Sequence, residues 1–291
     1  MIDIGPRTAE NRRVPGDASI PLRDRPIGVF DSGLGGLTVV RELTAAMPRE
    51  DVIYLGDSAR VPYGIKSLET VRRFALEDAG FLLRHDPKLI VVACNTASAA
   101  GIDVLSERCP VGVVDVIRPG AAAAVAATDG PVGVIATEAT ISSGAYRRAI
   151  EALDDRREVV QAACPLLVPI VEEGRDPSDP IVLSVLSEYL REMQRYRPGA
   201  LILGCTHYPL LTAAIAKLMG PQVKLVSSAR AAAEEVRRRL EADALATARS
   251  ETGRLHCYTT DNPQRFSRLG QRFGGRVIDK VEYVGTDELE G

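Results

Sequence analysis

The sequence predicts an α/β fold built as two pseudo-symmetric parallel-sheet α/β domains, with a cleft between them. Three observations carry the prediction. Short apolar runs alternate with segments of helical periodicity, the pattern of parallel strands joined by crossover helices. The series restarts near residue 131. Finally, LIVVACNTASAA in the first series is echoed by LILGCTHYPLL in the second: an apolar strand, a small residue, Cys, then small polar residues opening a helix.

The elements follow in order. IGVF (27–30) is a strand, DSGLGG a Gly-rich turn and LTVVRELTAAM a helix. VIYLGD (52–57) is the second strand. SLETVRRFALEDAGFLLRHD spaces Leu68, Val71, Ala75, Ala79 and Leu82 as one helix face. KLIVVACN (88–95) is a near-continuous apolar strand, as burial on both faces demands. A helix of small residues and the strand VGVVDV (111–116) complete the first series, and AAAAVAA (121–127) reads as a closely packed helix. The second series runs PVGVIAT (131–137), a loop and helix in ATISSGAYRRAIEAL, VVQAACP (159–165), one amphipathic helix in DPIVLSVLSEYLREMQ, ALILGC (200–205) and the helical THYPLLTAAIAKLM. After 227 come a charged helix, the strand RLHCYTTDN and the helix NPQRFSRLGQRFGG, which pack back on the first series. The expected division is 26–117 with 228–291 as the first domain and 118–227 as the second. Residues 1–25 are polar and read as a disordered or extended segment.

Composition narrows the function classes. A net charge of −3 gives no electrostatic footprint for nucleic acid or an anionic membrane. No run of about 18 apolar residues exists, and the first residues lack the apolar core of a secretory signal. The five cysteines are odd in number, widely spaced and without a C-x-x-C pair, so they are not a disulfide framework. A reducing, cytoplasmic setting fits them.

In open α/β sheets, ligands bind beyond the carboxyl ends of the strands. Those ends carry Asp31 and Ser32; Asp57, Ser58, Tyr63 and Gly64; Cys94, Asn95 and Thr96; Thr137 and Thr140; and Cys205, Thr206 and His207. Four chemistries compete for this set. GLGGLT (33–38) is a candidate dinucleotide turn, but Thr38 replaces the third glycine and Asp31 would repel a pyrophosphate. Cys94, Cys205 and His207 could hold zinc, although no fourth ligand is evident. A pyridoxal phosphate site needs a lysine, and none of the five lysines sits at a strand end. The fourth chemistry is acid–base catalysis by two thiols. A thiol titrates close enough to neutrality to act as base or acid. Two of them on opposite faces of one carbon could remove a proton and return it from the other side. Asp31 and His207 could then relay or orient the thiol protons, while Ser32, Asn95, Thr96 and Thr206 hold the substrate.

These residues carry a resemblance. IGVFDSGLGGLTVVREL, YLGDSARVPYG, VVACNTASA, VGVIATEATISSGAY, CPLLVPIVEEG and LILGCTHYPLL together resemble the bacterial glutamate racemases of the cofactor-independent aspartate/glutamate racemase superfamily, from about residue 27 to 275. The resemblance implies interconversion of L- and D-glutamate without cofactor or metal, the D-isomer serving peptidoglycan. It implies Cys94 and Cys205 as the two bases, Cys94 for the D-isomer and Cys205 for the L-isomer. Asp31 would assist Cys94. His207 and an acid of VEEG, Glu172 rather than Glu173, would assist Cys205. Asp31, Ser32, Tyr63, Gly64, Asn95, Thr96, Thr206 and His207 would contact glutamate, with Thr140 as a further contact.

A small-molecule substrate, no nucleic acid, no membrane and a homodimer are the expected associations. Ser58 and Ala136 depart from the common family pattern, and residues 1–25 have no counterpart in it. A related activity on another small acid, or a regulatory role on the same scaffold, is the competing expectation. Cys109, Cys164, Cys257, His85 and His256 are expected to be structural. Arg60 is a candidate carboxylate clamp, disfavoured because the family binds its substrate through neutral donors.

Overall fold

The computed structural model of the protein describes residues 20–275, 278 and 280–290. Among them ten strands form two wholly parallel sheets. The first contains β1 (Ile27–Asp31), β2 (Val52–Gly56), β3 (Leu89–Val92), β4 (Gly112–Asp115), β9 (Leu255–Thr259) and β10 (Val281–Tyr283), in the order β10-β9-β2-β1-β3-β4. The second contains β5 (Val132–Ala136), β6 (Val159–Ala163), β7 (Ala200–Gly204) and β8 (Lys224–Ser227), in the order β6-β5-β7-β8. The first four strands of each series are therefore arranged alike: second, first, third, fourth. Every residue of β1, β3, β5 and β7 is buried, which explains their unbroken apolar runs.

Helices cover the sheets. After β1, β2 and β3 come α1 (Leu37–Ala46), α2 (Leu68–Leu83) and α3 (Asn95–Arg108); α4 (Ile117–Ala127) follows β4. After β5 come α5 (Glu138–Ser142) and α6 (Ala145–Glu151), and after β6 come α7 (Leu167–Glu172), α8 (Pro180–Tyr189) and α9 (Arg191–Tyr196). The series ends with α10 (Thr212–Met219), α11 (Ser228–Ala242), α12 (Pro263–Gly274) and α13 (Thr286–Leu289). Local chemistry starts them. Ser67, Asp179, Ser227 and Asn262 cap α2, α8, α11 and α12 with their side chains, and Pro180 and Pro263 open their helices.

Two helices tie the halves together. The chain leaves the first sheet at β4, and α4 packs on the second sheet, burying Ile117, Ala121 and Ala124 with β5 and β7 side chains. It leaves the second sheet at β8, and α11 packs against both α4 and α1. Gly120, just before AAAAVAA, makes this approach possible: a Cβ there would lie 3.3 Å from Ser228 Oγ.

Four readings of the sequence need correction. The third strand stops at Val92 rather than Asn95, because Cys94 caps α3, its Sγ accepting from the Ala97 N–H at 3.4 Å. DPIVLSVLSEYLREMQ forms two helices that meet at Leu190, although Leu186, Leu190 and Met193 keep one buried stripe across the joint. β8 and β10 were not anticipated; both are short edge strands without an apolar run. Of the segment 1–25, residues 1–19 lie outside the described residues. Residues 22–24 form a 3₁₀ turn, with Lys88 Nζ donating to the Arg23 carbonyl and Thr247 to Asp24, both at 2.6 Å.

Candidate active site

The carboxyl ends of both sheets face one cavity of about 220 Å³. Ser32 after β1, residues 61–65 after β2, and Cys94, Asn95 and Thr96 after β3 line it from one side. Thr137 and Glu138 after β5, Pro165, Val168 and Pro169 after β6, and Cys205, Thr206 and His207 after β7 line it from the other. No Lys or Arg is among these residues. Equivalent strands thus supply equivalent walls, and each third strand supplies a cysteine.

The two thiols sit in opposite electrostatic settings. Burial, reinforced by the Asp31 carboxylate, pushes the Cys94 thiol up to about 12. Its Sγ lies 3.8 Å from Ser32 Oγ. Asp31 is itself fully buried, and burial raises its carboxyl above the usual range against the pull of His207 and the backbone donors. Gly33 N–H donates to Asp31 at 3.0 Å, and Thr206 of the other half at 3.4 Å. Cys205 instead faces an imidazole, with Sγ 3.8 Å from His207 Nδ1. His207 Nε2 lies 3.1 Å from Glu172 Oε1. Burial opposes charge on His207, but its hydrogen bonds to Cys205 and Glu172 and the nearby anions hold it at about 10. The same hydrogen bond draws Glu172 below the usual carboxylate range. Glu173, one residue on, is exposed.

The Gly-rich turn serves close packing rather than phosphate binding. A Cβ on Gly35 would lie 2.1 Å from Thr206 Oγ1 and 2.6 Å from His207 Nδ1. A Cβ on Gly36 would lie 2.5 Å from the Asp31 side chain. Thr38, where a dinucleotide fingerprint has glycine, donates to both the Gly35 and Thr206 carbonyls, at 2.9 and 3.0 Å. The turn is the seat on which the Cys205 loop of the other half rests.

Other sequence-derived residues take different positions. Tyr63 lines the cavity, but its hydroxyl turns away to Asp57 and, at 3.1 Å, to Asp78. Arg60 does not line it. Its guanidinium is held by Asp57 at 2.7 Å, by Asp78 at 3.1 Å and by Glu77, and lies over the Phe74 ring. Gly64 lets the 61–65 wall meet the second half, since a Cβ there would lie 2.8 Å from Thr137 Cβ. Thr140 stands behind the cavity, where its hydroxyl closes a three-membered ring with Thr96 and Thr137 at 2.9–3.1 Å. Asp31 and Glu172 also stand one layer back, acting on residues that line the cavity. His85 and His256 pack on Tyr258, and none of the five cysteines is in a disulfide.

Sequence reasoning missed the apolar wall of Pro165, Val168 and Pro169, and placed Thr137 at a strand end without giving it a substrate contact. Thr137 had a signal: it directly follows β5, as Ser32 follows β1. The wall had none, because apolar residues after a strand look like core.

Comparison with known proteins agrees with this geometry. The family model described as Asp/Glu/hydantoin racemase matches residues 27–236. A glutamate racemase from Geobacter metallireducens is 49% identical over 264 residues, covering 90% of this chain and 97% of the relative. Among solved structures, glutamate racemase isoform RacE1 from Bacillus anthracis superposes with a TM-score of 0.87 at 38% identity, covering 90% of this chain and 98% of that one. The Francisella tularensis glutamate racemase in complex with D-glutamate superposes with a TM-score of 0.85 at 40% identity, covering 91% and 99%.

Proposed function

The chain belongs to the Asp/Glu/hydantoin racemase family, and from that premise we infer that it is a glutamate racemase, working on L- and D-glutamate by proton transfer between two thiols. One observation carries the mechanism: two cysteines at equivalent strand ends line opposite sides of one cavity, with an anion beside one and a cation beside the other.

That asymmetry supports different roles for the two thiols. Cys94, whose thiol burial and Asp31 push up, is suited to act as the acid toward L-glutamate, and Cys205, 3.8 Å from His207 Nδ1, as the base. With L-glutamate bound, the Cys205 thiolate takes the α-proton and becomes a thiol. The electron pair left on the α-carbon then takes the proton of Cys94 from the opposite face. The product is D-glutamate, and Cys94 is left as the thiolate. In the reverse direction Cys94 is the base and Cys205 the acid. Turnover requires the resting protonation to be restored, and Asp31 and the His207–Glu172 pair lie where they can accept and return those protons.

The substrate-binding roles rest on the neutral donors of the cavity: Ser32, Asn95, Thr96, Thr137 and Thr206, with backbone of 63–64. Thr140 acts through Thr96 and Thr137. We read residues 26–117 with 228–291 as one domain and 118–227 as the other, a division supported by sheet membership. The D-isomer would supply peptidoglycan. A cytoplasmic setting is supported by the unbridged cysteines, and no helix among the described residues is long and apolar enough to cross a membrane. A homodimer is the family expectation, to be checked by sedimentation.

The test is incubation with L-glutamate in deuterated water without added cofactor. D-Glutamate carrying deuterium at the α-carbon is expected. Cys94→Ser and Cys205→Ser should each lose racemisation by at least about 10²-fold, the low end for removal of an acid–base group. A parent chain that neither forms D-glutamate nor exchanges the α-proton refutes the reading.

A further inference from the structure

Asn95 lines the cavity beside Cys94, yet its amide is gripped from the other half of the molecule. Tyr146, on α6 and fully buried, donates its phenol proton to Asn95 Oδ1 at 2.6 Å. The phenol oxygen lies 2.9 Å from Ser228 Oγ, the first residue of α11. Ser228 Oγ in turn lies 3.0 Å from the carbonyl of Leu203, two residues before Cys205. Tyr146 does not line the cavity itself. A buried chain of polar groups therefore runs from the residue after one thiol to the strand that carries the other.

Proton accounting gives this chain a direction. A phenol has one proton. Spent on Asn95 Oδ1, it leaves the phenol oxygen as an acceptor, and the Ser228 hydroxyl shares its single proton between that oxygen and the Leu203 carbonyl. Asn95 Oδ1 is then the acceptor facing Tyr146, so its Nδ2 is turned the other way. An Asn amide free to rotate could present oxygen to the cavity, which suits an ammonium group. Fixed in this sense it presents two N–H donors, which suit a carboxylate.

We propose that Tyr146 is a positioning residue, held from behind by Ser228, that fixes the Asn95 amide with its donors toward the cavity and ties the Cys94 turn to the Cys205 strand. It acts through Asn95 and touches no substrate. The inference rests on the racemase reading and adds to it the group that orients a substrate-carboxylate donor.

The experiment uses the full chain, with racemisation of D-glutamate measured for the parent, Tyr146→Phe, Ser228→Ala and the double variant. Tyr146→Phe keeps the ring and removes only the oxygen. It should raise KM about tenfold, the effect of weakening one hydrogen bond to a charged group. The change in kcat should stay under about threefold, since Asn95 holds the substrate and moves no proton. Ser228→Ala should raise KM in the same sense by about threefold. The double variant should be no worse than Tyr146→Phe, because both act through one amide. Loss of structure alone would reduce the active fraction and leave KM unmoved. A KM within about twofold of the parent in Tyr146→Phe overturns the proposal, as does a double variant whose KM effects multiply. Should Tyr146→Phe fail to fold, Ser228→Ala decides by itself, and an unchanged KM there overturns the proposal. A parent chain that does not racemise glutamate overturns the racemase reading instead, which keeps the two failures distinct.

Discussion

Gly35→Ala adds one methyl group at the seam between the halves. The Cβ would lie 2.1 Å from Thr206 Oγ1, 2.6 Å from His207 Nδ1 and 2.7 Å from His207 Cε1. Ordinary van der Waals contact begins near 3.4 Å, so the neighbours must retreat by roughly 1 Å, the scale at which a misplacement costs about 10²-fold. They cannot retreat singly. Thr206 is bonded through its carbonyl to Thr38 and through its hydroxyl to Asp31, and His207 is bonded to Glu172. The whole turn, with Cys205, therefore moves away from Cys94. Overpacking of this kind costs about 1–3 kcal/mol, so a chain of ordinary stability still folds. The thermal midpoint should fall by about 2–10 °C, while the racemisation rate at saturating glutamate falls by about 10²-fold. Gly80→Ala is the control: nothing lies within 4 Å of its Cβ, and it sits inside α2. It should leave the rate alone and gain about 0.5–1 kcal/mol from helix propensity. Polarimetry at 25 °C on protein verified as folded reads both rates. If Gly35→Ala keeps its rate within threefold of the parent, the turn is not the seat of the Cys205 loop and the argument fails.

Two further outcomes follow from the network around the cavity. Folded His207 is held at about 10, above its unfolded value near 6.5. Its contribution to stability is therefore complete below about 6.5 and is lost as pH rises to about 10 and beyond. Glu172→Gln should flatten that alkaline loss in urea titrations and move the alkaline limb of kcat/KM to lower pH; an unmoved limb counts against the His207–Glu172 pairing. Arg60→Met leaves the buried Asp57 and Asp78 without their cation, and Glu77 with Arg73 alone at 3.7 Å, and should cost about 3–5 kcal/mol. It should also raise KM for glutamate by loosening the 61–65 wall, and denaturant titration showing less than about 1 kcal/mol would reject the structural role of this cluster.

Much of the molecule was legible because parallel strands advertise themselves. β1, β3, β5 and β7 are buried on both faces, so their runs are apolar without interruption, and the echo around Cys94 and Cys205 reports two matched sheets. β8 and β10, at sheet edges, have no such constraint and left no pattern. Within the site, the thiols and His207 were readable because few other roles suit those groups at a strand end. The destination of a hydroxyl was not readable. Tyr63 sits in a conspicuous turn yet spends its oxygen on Asp57 and Asp78, while Tyr146, in the helix α6, reaches across to Asn95. Such partners are set by long-range packing, which periodicity does not encode. The Gly-rich turn is the instructive case: its glycines answer to a close approach, but by a protein loop and not by a phosphate.

The paired helices α4 and α11 bear on whether the molecule can be divided. Strands 27–115 and 255–283 belong to one sheet, so the second sheet is an uninterrupted insert in the chain of the first. A fragment cut at 132–227 would retain every strand of that sheet and lose the helix that shields β5 and β7. The complementary piece would keep α4 but lose the β5 and β7 side chains that cover its Ile117, Ala121 and Ala124. Neither product has a finished surface, so separately expressed halves should need each other to stay in solution. A self-sufficient unit therefore needs both sheets together with α4 and α11, and that unit holds both thiols.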